Sequence, residues 1–172
     1  GALLLFALFL VLLNGMFVAA EFGFVKARKT RIKLLAARGN KRAQSALFGI
    51  AHLDAYLSVC QLGITLASLG LGWIGEPAVA RVLRPILEAI SITNQAVISS
   101  LSMAIGFAII TFLHVVFGEL APKSISIQKA EKTVLILARP MRLAYLLWYP
   151  VVIILNGISN ALLRLIGIRP AS

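Results

Sequence analysis

The sequence opens with a long apolar run. Residues 2–25 contain two strongly polar side chains, Asn14 and Glu21. A helix needs about 20 mostly apolar residues to cross the hydrocarbon core of a bilayer, and this run is long enough. No basic segment precedes it and no clear small-residue cleavage site ends it, so it does not resemble a secretory signal peptide. We therefore interpret residues 2–25 as a first membrane span.

Three further apolar blocks follow. Residues 53–74 and 96–120 contain no Lys or Arg and are predicted to be the second and third spans. Residues 141–168 carry Arg142 and Arg164, so this block either spans or lies in the membrane interface with its arginines reaching water. Charged residues make up 13% of the chain, against roughly 25% in soluble domains. The sequence predicts an all-α integral membrane protein and excludes a soluble globular domain.

The distribution of positive charge predicts the orientation in the membrane. The net charge is +11, and eight Lys and Arg lie between Lys26 and Arg42, whereas the loop 76–95 contains two, Arg81 and Arg84. By the positive-inside rule, the basic loop and the C-terminal tail are cytoplasmic and the N-terminus is outside. Basic residues beside spans orient them and attract anionic lipid, which disfavours nucleic acid as the partner. The expected location is the cell membrane, as a multi-pass protein.

Shorter helices are predicted between and after the spans. Residues 27–50 show helical spacing interrupted at Gly39 and Asn40, which indicates two short basic cytosolic helices. Pro122 and Pro140 each remove a backbone donor, so residues 123–138 and 141–168 are expected to form separate juxtamembrane helices. With three spans per subunit, residues 141–168 form a belt at the cytoplasmic face, and residues 1–172 form one transmembrane domain.

The second block carries a polar stripe. Six residues spaced 4, 3, 4, 3 and 4 apart share one helical face: Asp54, Ser58, Gln61, Thr65, Ser68 and Gly72. Burying unpaired polar groups in a bilayer is unfavourable, so this face is expected to meet protein or a cavity rather than lipid. Taken alone, Ser68 is typical of helix packing, and Asp54 suits the start of its helix. His52 and His114 are interpreted as packing or interface residues.

Carboxylates mark a candidate ion site. Glu21 and Glu119 are expected near the cytoplasmic ends of spans one and three, and Gln61 in the same half of span two. Their similar depth predicts an acidic cavity, whose oxygen ligands suit Mg²⁺ or Na⁺ rather than zinc. The alternative is that Glu21 sits at the interface beside Lys26 and that Glu119 pairs with Lys123.

Three ordered motifs resemble those of a known family. They are Asn14-Gly-Met-Phe-Val-Ala-Ala-Glu21, Gln61-Leu-Gly-Ile-Thr65-Leu-Ala-Ser68 and Phe117-Gly118-Glu119-Leu-Ala-Pro122-Lys123. Together they resemble the membrane domain of the CorB/CorC/CNNM family of magnesium transport proteins, and the resemblance covers nearly the whole chain. It implies a homodimer in the lipid bilayer, followed in the full protein by cytosolic CBS modules and a small C-terminal domain that this chain does not contain.

The resemblance also implies a function and a site. The function is Mg²⁺ export, coupled to Na⁺ entry, by alternating access. The metal residues carried over or adjacent are Glu119, Glu21, Gly63, Thr65, Gln61, Asn14, Ser68 and Gly118. Val18 and Ala20 stand where relatives carry serines, so Glu119 rather than Glu21 is expected to be the principal carboxylate. No enzyme motif is present, and the alternative is a membrane-anchored sensor that regulates another transporter.

Overall fold

The computed structural model describes residues 2–90 and 94–169, and in these two ranges all regular structure is helical. The α-helices in chain order are α1 (Ala2–Lys26), α2 (Lys29–Ala37), α3 (Lys41–Ala51), α4 (Leu53–Gly70), α5 (Glu76–Ala89), α6 (Gln95–Val115), α7 (Ala121–Gln128) and α8 (Ala130–Leu165). Two short π-helical segments, Leu71–Gly75 and Val116–Leu120, join α4 to α5 and α6 to α7 without interrupting the helical path.

Four continuous helical stretches are long and apolar enough to cross a membrane. They are Ala2–Lys26, Leu53–Ala89, Gln95–Gln128 and Ala130–Leu165. The chain is therefore a multi-pass membrane protein. Length and composition do not distinguish the last stretch from the other three, so the three-span arrangement with a belt helix stays a prediction.

The helices of the basic loop have clear boundaries. Gly39 follows the C-cap residue Arg38 of α2 and adopts a φ of 91°, a left-handed conformation that favours glycine. Asn40 then caps α3, because its Oδ1 accepts a hydrogen bond of 3.1 Å from the backbone N–H of Ala43. The chain reverses between α2 and α3 at the two residues that the sequence marks as a break.

The separate helices predicted at 123–138 and 141–168 are wrong in their bounds. The break lies at Lys129, and α8 then continues to Leu165 through Pro140 and Pro150. A proline removes one backbone donor, but an apolar environment favours keeping the remaining backbone hydrogen bonds inside the helix. Proline therefore does not end this helix.

The predicted outer loop 76–95 is largely helical. Residues Glu76–Ala89 form α5, with Pro77 in the first turn, where its missing N–H is tolerated. Residues 91–93 of that loop lie outside the described ranges, and α6 begins after Asn94, whose Oδ1 accepts from the backbone N–H of Ala96 at 2.9 Å. The segment between the second and third apolar blocks is thus mainly the helix α5, which packs along α6.

The structure divides into two compact units. The first contains Gly1–Ala19 and Gly63–Gln128, and the second contains Ala20–Leu62 and Lys129–Ser172. The core of the first is aliphatic and consists of Ala7, Leu10, Val11, Leu71 and Ile110. In this unit α5 packs along α6.

The second unit has an aromatic core. The Tyr56 ring lies 5.2 Å from Phe24 and 5.3 Å from Tyr145, centroid to centroid, and Phe48 lies 5.4 Å from Tyr145. The Arg142 guanidinium stacks 3.8 Å from the centroid of Phe48. These contacts hold α3 and α8 together and anchor the start of α4.

Candidate functional site

Asn14 is the centre of a polar cluster in the first unit. It lies in the middle of α1 and is fully buried. Its Nδ2 donates a 2.8 Å hydrogen bond to the carbonyl oxygen of Gly118, and its Oδ1 accepts a 3.3 Å bond from the Ser68 hydroxyl. A buried amide destabilises an apolar helix unless its hydrogen bonds are made. Both the Nδ2 and the Oδ1 of Asn14 make hydrogen bonds, and these connect α1 to the segment Val116–Leu120 and to α4.

The Gly118 carbonyl is available to Asn14 because the residue four positions later is a proline, which has no backbone N–H. In an α-helix this oxygen would accept from the N–H four residues later, which is the position of Pro122. Proline has no N–H, so the α-helical bond cannot form. The π-helical segment Val116–Leu120 lies at this point, and such segments frequently occur at functional sites. The result is a backbone oxygen directed at a side chain inside an otherwise apolar helix.

Close approach of the backbones requires glycine on both sides. A Cβ on Gly15 would lie 3.0 Å from Pro122 Cγ and 3.1 Å from the Phe117 oxygen. A Cβ on Gly118 would lie 3.2 Å from Asn14 Nδ2. Any larger residue at either position would push the neighbouring helix away, so these glycines set the distance across which Asn14 reaches the carbonyl.

The network extends to an acidic side chain. Ser68 Oγ lies 3.1 Å from His114 Nε2, and the same nitrogen lies 3.6 Å from Glu119 Oε1. The Ser68 hydroxyl donates its one hydrogen to Asn14 Oδ1, and the tautomer in which His114 Nε2 carries a proton matches this arrangement. The chain of polar groups runs from a backbone carbonyl through an amide, a hydroxyl and an imidazole to a carboxylate.

The two ends of this network differ in exposure. The Glu119 side chain is 44% exposed and the His114 side chain 19%, whereas Asn14 is buried. We call the exposed Glu119 end of the network its open end and the buried Asn14 end its closed end. The negative charge lies at the open end, and the neutral oxygens lie at the closed end. A cation entering from the open end would meet the carboxylate first.

The available donors suit a hard cation. The residues that the structure describes contain no group of three or more His, Cys, Asp and Glu able to hold a metal ion. An ion held here would depend on one carboxylate and on neutral carbonyl and hydroxyl oxygens. Mg²⁺ is commonly bound in this way, through one or two carboxylates with several retained waters.

Four predicted site residues come together in this cluster: Asn14, Ser68, Gly118 and Glu119. Gly63 and Thr65 belong to the same unit. Gly63 packs against Phe17, whose ring would lie 2.5 Å from an added Cβ, so its evident role is to admit that ring. Thr65 is exposed on α4, one turn before Ser68.

Glu21 and Gln61 belong to the second unit. Glu21 is partly buried near the end of α1, and Gln61 is exposed on α4. The prediction that they share a cavity with Glu119 stays a prediction. In this unit Ser58 donates to the Asp54 carbonyl at 3.1 Å and approaches Asn156 Oδ1 at 3.1 Å, so part of the polar stripe serves to pack α4 on α8.

His114 belongs to the cluster, although the sequence predicts a packing or interface residue at this position. Its Nε2 lies 3.1 Å from Ser68 Oγ and 3.6 Å from Glu119 Oε1. Two signals were present. An ionisable residue within an apolar span is a functional candidate by default, and His114 lies one helical turn before Gly118.

Comparison with known proteins identifies the family of this chain. A family model described as the Cyclin M transmembrane N-terminal domain matches residues 5–172. The UPF0053 protein YhdT of Bacillus subtilis (strain 168) is 50% identical over 163 residues, which cover 95% of this chain and 35% of the relative. YrkA of the same organism is 44% identical over 170 residues, covering 99% and 39%, and YugS is 46% identical over 167 residues, covering 95% and 38%.

The chain thus spans well under half the length of these relatives, and what it shares with them is a membrane region. The match extends over nearly every residue of the chain, including all three motifs of the polar cluster. The chain belongs to the Cyclin M transmembrane N-terminal domain family, the CNNM family.

Proposed function

We propose that this chain is the membrane domain of a magnesium transporter that exports Mg²⁺ in exchange for Na⁺ by alternating access. The observation that carries the proposal is the polar network of Asn14, Ser68, Gly118, His114 and Glu119 within apolar helices. Ionisable and polar groups inside spans mark ion pathways because their burial is otherwise unfavourable. Membership of the family supports the assignment of Mg²⁺ as the ion.

Glu119 is the proposed principal carboxylate for the transported ion. Mg²⁺ is small and strongly hydrated, and a carboxylate is the usual group that displaces part of its water. The Gly118 carbonyl and the Ser68 hydroxyl supply neutral oxygens at the closed end of the cluster. His114 Nε2 lies 3.6 Å from Glu119 Oε1, beyond hydrogen-bond distance, so the carboxylate can bind an entering cation without breaking a short bond to the imidazole.

The π-helical segment Val116–Leu120 supports alternating access. Transporters commonly place ion sites where a helix departs from regular geometry, because the departure frees backbone oxygens inside the membrane. Here the segment Val116–Leu120 and Pro122 create that departure. Na⁺ also prefers oxygen ligands, so we propose that it uses the same cluster when the site faces outward.

The proposed assembly is a homodimer with the N-terminus outside and α2 and α3 in the cytoplasm. Many large apolar side chains of α8 are exposed, for example Leu143, Leu147 and Ile154. A second subunit and the surrounding lipid are the proposed partners of these side chains, and regulatory cytosolic domains the partners in the full protein. A monomeric mass in both detergent and lipid nanodiscs would contradict the dimer.

Flux through purified protein tests the transport function. Liposomes containing the protein and a trapped Mg²⁺ indicator should show Mg²⁺ movement that depends on an opposing Na⁺ gradient. Liposomes with the Glu119→Gln variant should show none. If the parent protein binds Mg²⁺ but moves none in either direction, the domain is a sensor that regulates another transporter.

A further inference from the structure

A second polar site lies in the hairpin of α5 and α6, in the first unit. A cavity of about 220 Å³ opens between these helices, and its polar lining consists of Arg81 and Arg84 from α5 and Ser99 and Ser102 from α6. Arg81 and Arg84 are three residues apart, as are Ser99 and Ser102, so each pair occupies one face of its helix. Two guanidinium groups therefore face two hydroxyls across one cavity.

The two arginines are held differently. Arg84 Nη2 donates a 3.0 Å hydrogen bond to Gln95 Oε1, and its Nε lies 3.9 Å from the Glu88 carboxylate. These contacts orient Arg84 and leave further N–H donors unused. No carboxylate of residues 2–90 or 94–169 lies within ion-pair distance of Arg81. The lining of the cavity therefore carries two positive side chains and no carboxylate.

Ser102 has an unmet hydrogen-bonding group. Its side chain is 3% exposed, and its Oγ has no hydrogen-bond partner within the part of the chain that the structure describes. Buried hydroxyls normally have a partner, because an unsatisfied one destabilises the fold. Ser102 lines the same cavity as the two arginines. A ligand that binds to the arginines could therefore supply the oxygen that the Ser102 hydroxyl lacks.

We propose that this cavity binds a phosphate group. A guanidinium presents paired N–H donors that match the spacing of phosphate oxygens, and two of them with two hydroxyls satisfy a tetrahedral anion. Exposed apolar side chains flank the cavity on the same hairpin, including Val82, Ile86, Val97 and Leu101. The phosphate can come from a phospholipid headgroup, whose acyl chains would cover these residues, or from free phosphate. The inference does not use the magnesium site.

Thermal unfolding of the purified protein in detergent tests the phosphate site. One arm adds phosphatidylglycerol against a phosphate-free glycolipid, and the other adds inorganic phosphate against chloride at equal ionic strength. We expect phosphate-bearing ligand to raise the Tm of the parent by several degrees, because a ligand that binds the folded state stabilises it. Response in the lipid arm alone identifies a headgroup, and response to inorganic phosphate identifies a free anion.

Matched variants locate the effect. The double variant Arg81→Gln/Arg84→Gln should lose most of the stabilisation, whereas Arg139→Gln/Arg164→Gln, which removes the same charge from exposed positions on α8, should keep it. Ser102→Ala should weaken the ligand effect without lowering the Tm of the ligand-free protein, because it removes an unsatisfied hydroxyl. No response of the parent in either arm, or an equal response in the Arg81→Gln/Arg84→Gln variant, would overturn the proposal.

Discussion

At the scale of single residues, Asn14 explains how the first unit combines an aliphatic core with a polar cluster. The sequence marked it as one of two strongly polar residues in the first apolar block. It did not indicate the partners, because hydrogen bonds to Gly118 and Ser68 join residues far apart in the chain. The same limit explains why His114 was missed, since its role depends on side chains from other helical turns.

Replacing Asn14 should destabilise the fold. Asn14→Leu keeps a similar volume but leaves the Gly118 carbonyl without its donor, and an unsatisfied buried group costs about 1–3 kcal/mol. The loss should appear as a lower Tm in detergent. Leu12→Ala, at an exposed position on the same helix, is the control and should change the Tm much less. An Asn14→Leu protein as stable as the parent would show that the buried network contributes nothing to folding.

Two glycines should differ sharply in their tolerance of alanine. A Cβ on Gly118 would lie 3.2 Å from both Asn14 Nδ2 and His114 Cδ2, whereas on Gly72 the nearest atom is 3.8 Å away, at ordinary contact distance. Gly118→Ala should therefore cost about 1–3 kcal/mol and weaken Mg²⁺ binding, and Gly72→Ala should be nearly neutral. Parallel thermal unfolding and Mg²⁺ titration measure both. Equal behaviour of the two variants would contradict the close approach at Gly118.

At the scale of helices, the length of the apolar blocks predicted the long helical stretches correctly, whereas the prolines did not predict where helices end. The four long apolar blocks correspond to four helical stretches able to cross a membrane. Pro140 and Pro150 do not end α8, and Pro122 lies within a continuous helical path. The π-helical segments could not be predicted, because they depend on which backbone oxygens find partners on neighbouring helices. The helix α5 was missed because its charged residues suggested a loop.

Pro122 should control ion binding through the Gly118 carbonyl. Pro122→Ala restores an N–H four residues after Gly118, and that N–H competes with Asn14 for the carbonyl oxygen. We expect a protein that is folded and at least as thermally stable but binds Mg²⁺ more weakly. Pro140→Ala, in α8, is the control and should bind Mg²⁺ like the parent. Unchanged Mg²⁺ binding by Pro122→Ala would show that Pro122 does not control ion binding.

At the scale of the whole molecule, the charge distribution and the hydropathy are typical of a membrane protein. The net charge of +11 is concentrated in the first basic loop and the C-terminal part, and this asymmetry predicts the orientation. The hydropathy of the stretch Ala130–Leu165 lies within the range of the other three candidate spans, so composition alone does not separate a spanning α8 from a belt helix.

Cysteine labelling tests the orientation. Lys29→Cys should be protected from an impermeant maleimide in intact cells and should react after permeabilisation, because α2 is expected in the cytoplasm. Glu88→Cys, at an exposed position on α5, should react in intact cells. The native Cys60 is buried and gives a low background. Labelling of Lys29→Cys from outside intact cells would reverse the proposed topology.

Binding of Mg²⁺ to the Glu119→Gln variant is the most direct test of the proposed site. The substitution keeps the shape of the side chain and removes the charge at the open end of the network. Isothermal titration of Mg²⁺ should show binding to the parent and to the Glu88→Gln control, and none to Glu119→Gln, which should remain folded. We expect loss of binding in Glu119→Gln and a smaller change in Glu21→Gln. Parent-like binding by Glu119→Gln, above all with loss of binding in Glu21→Gln, would contradict the assignment of Glu119 as the principal carboxylate.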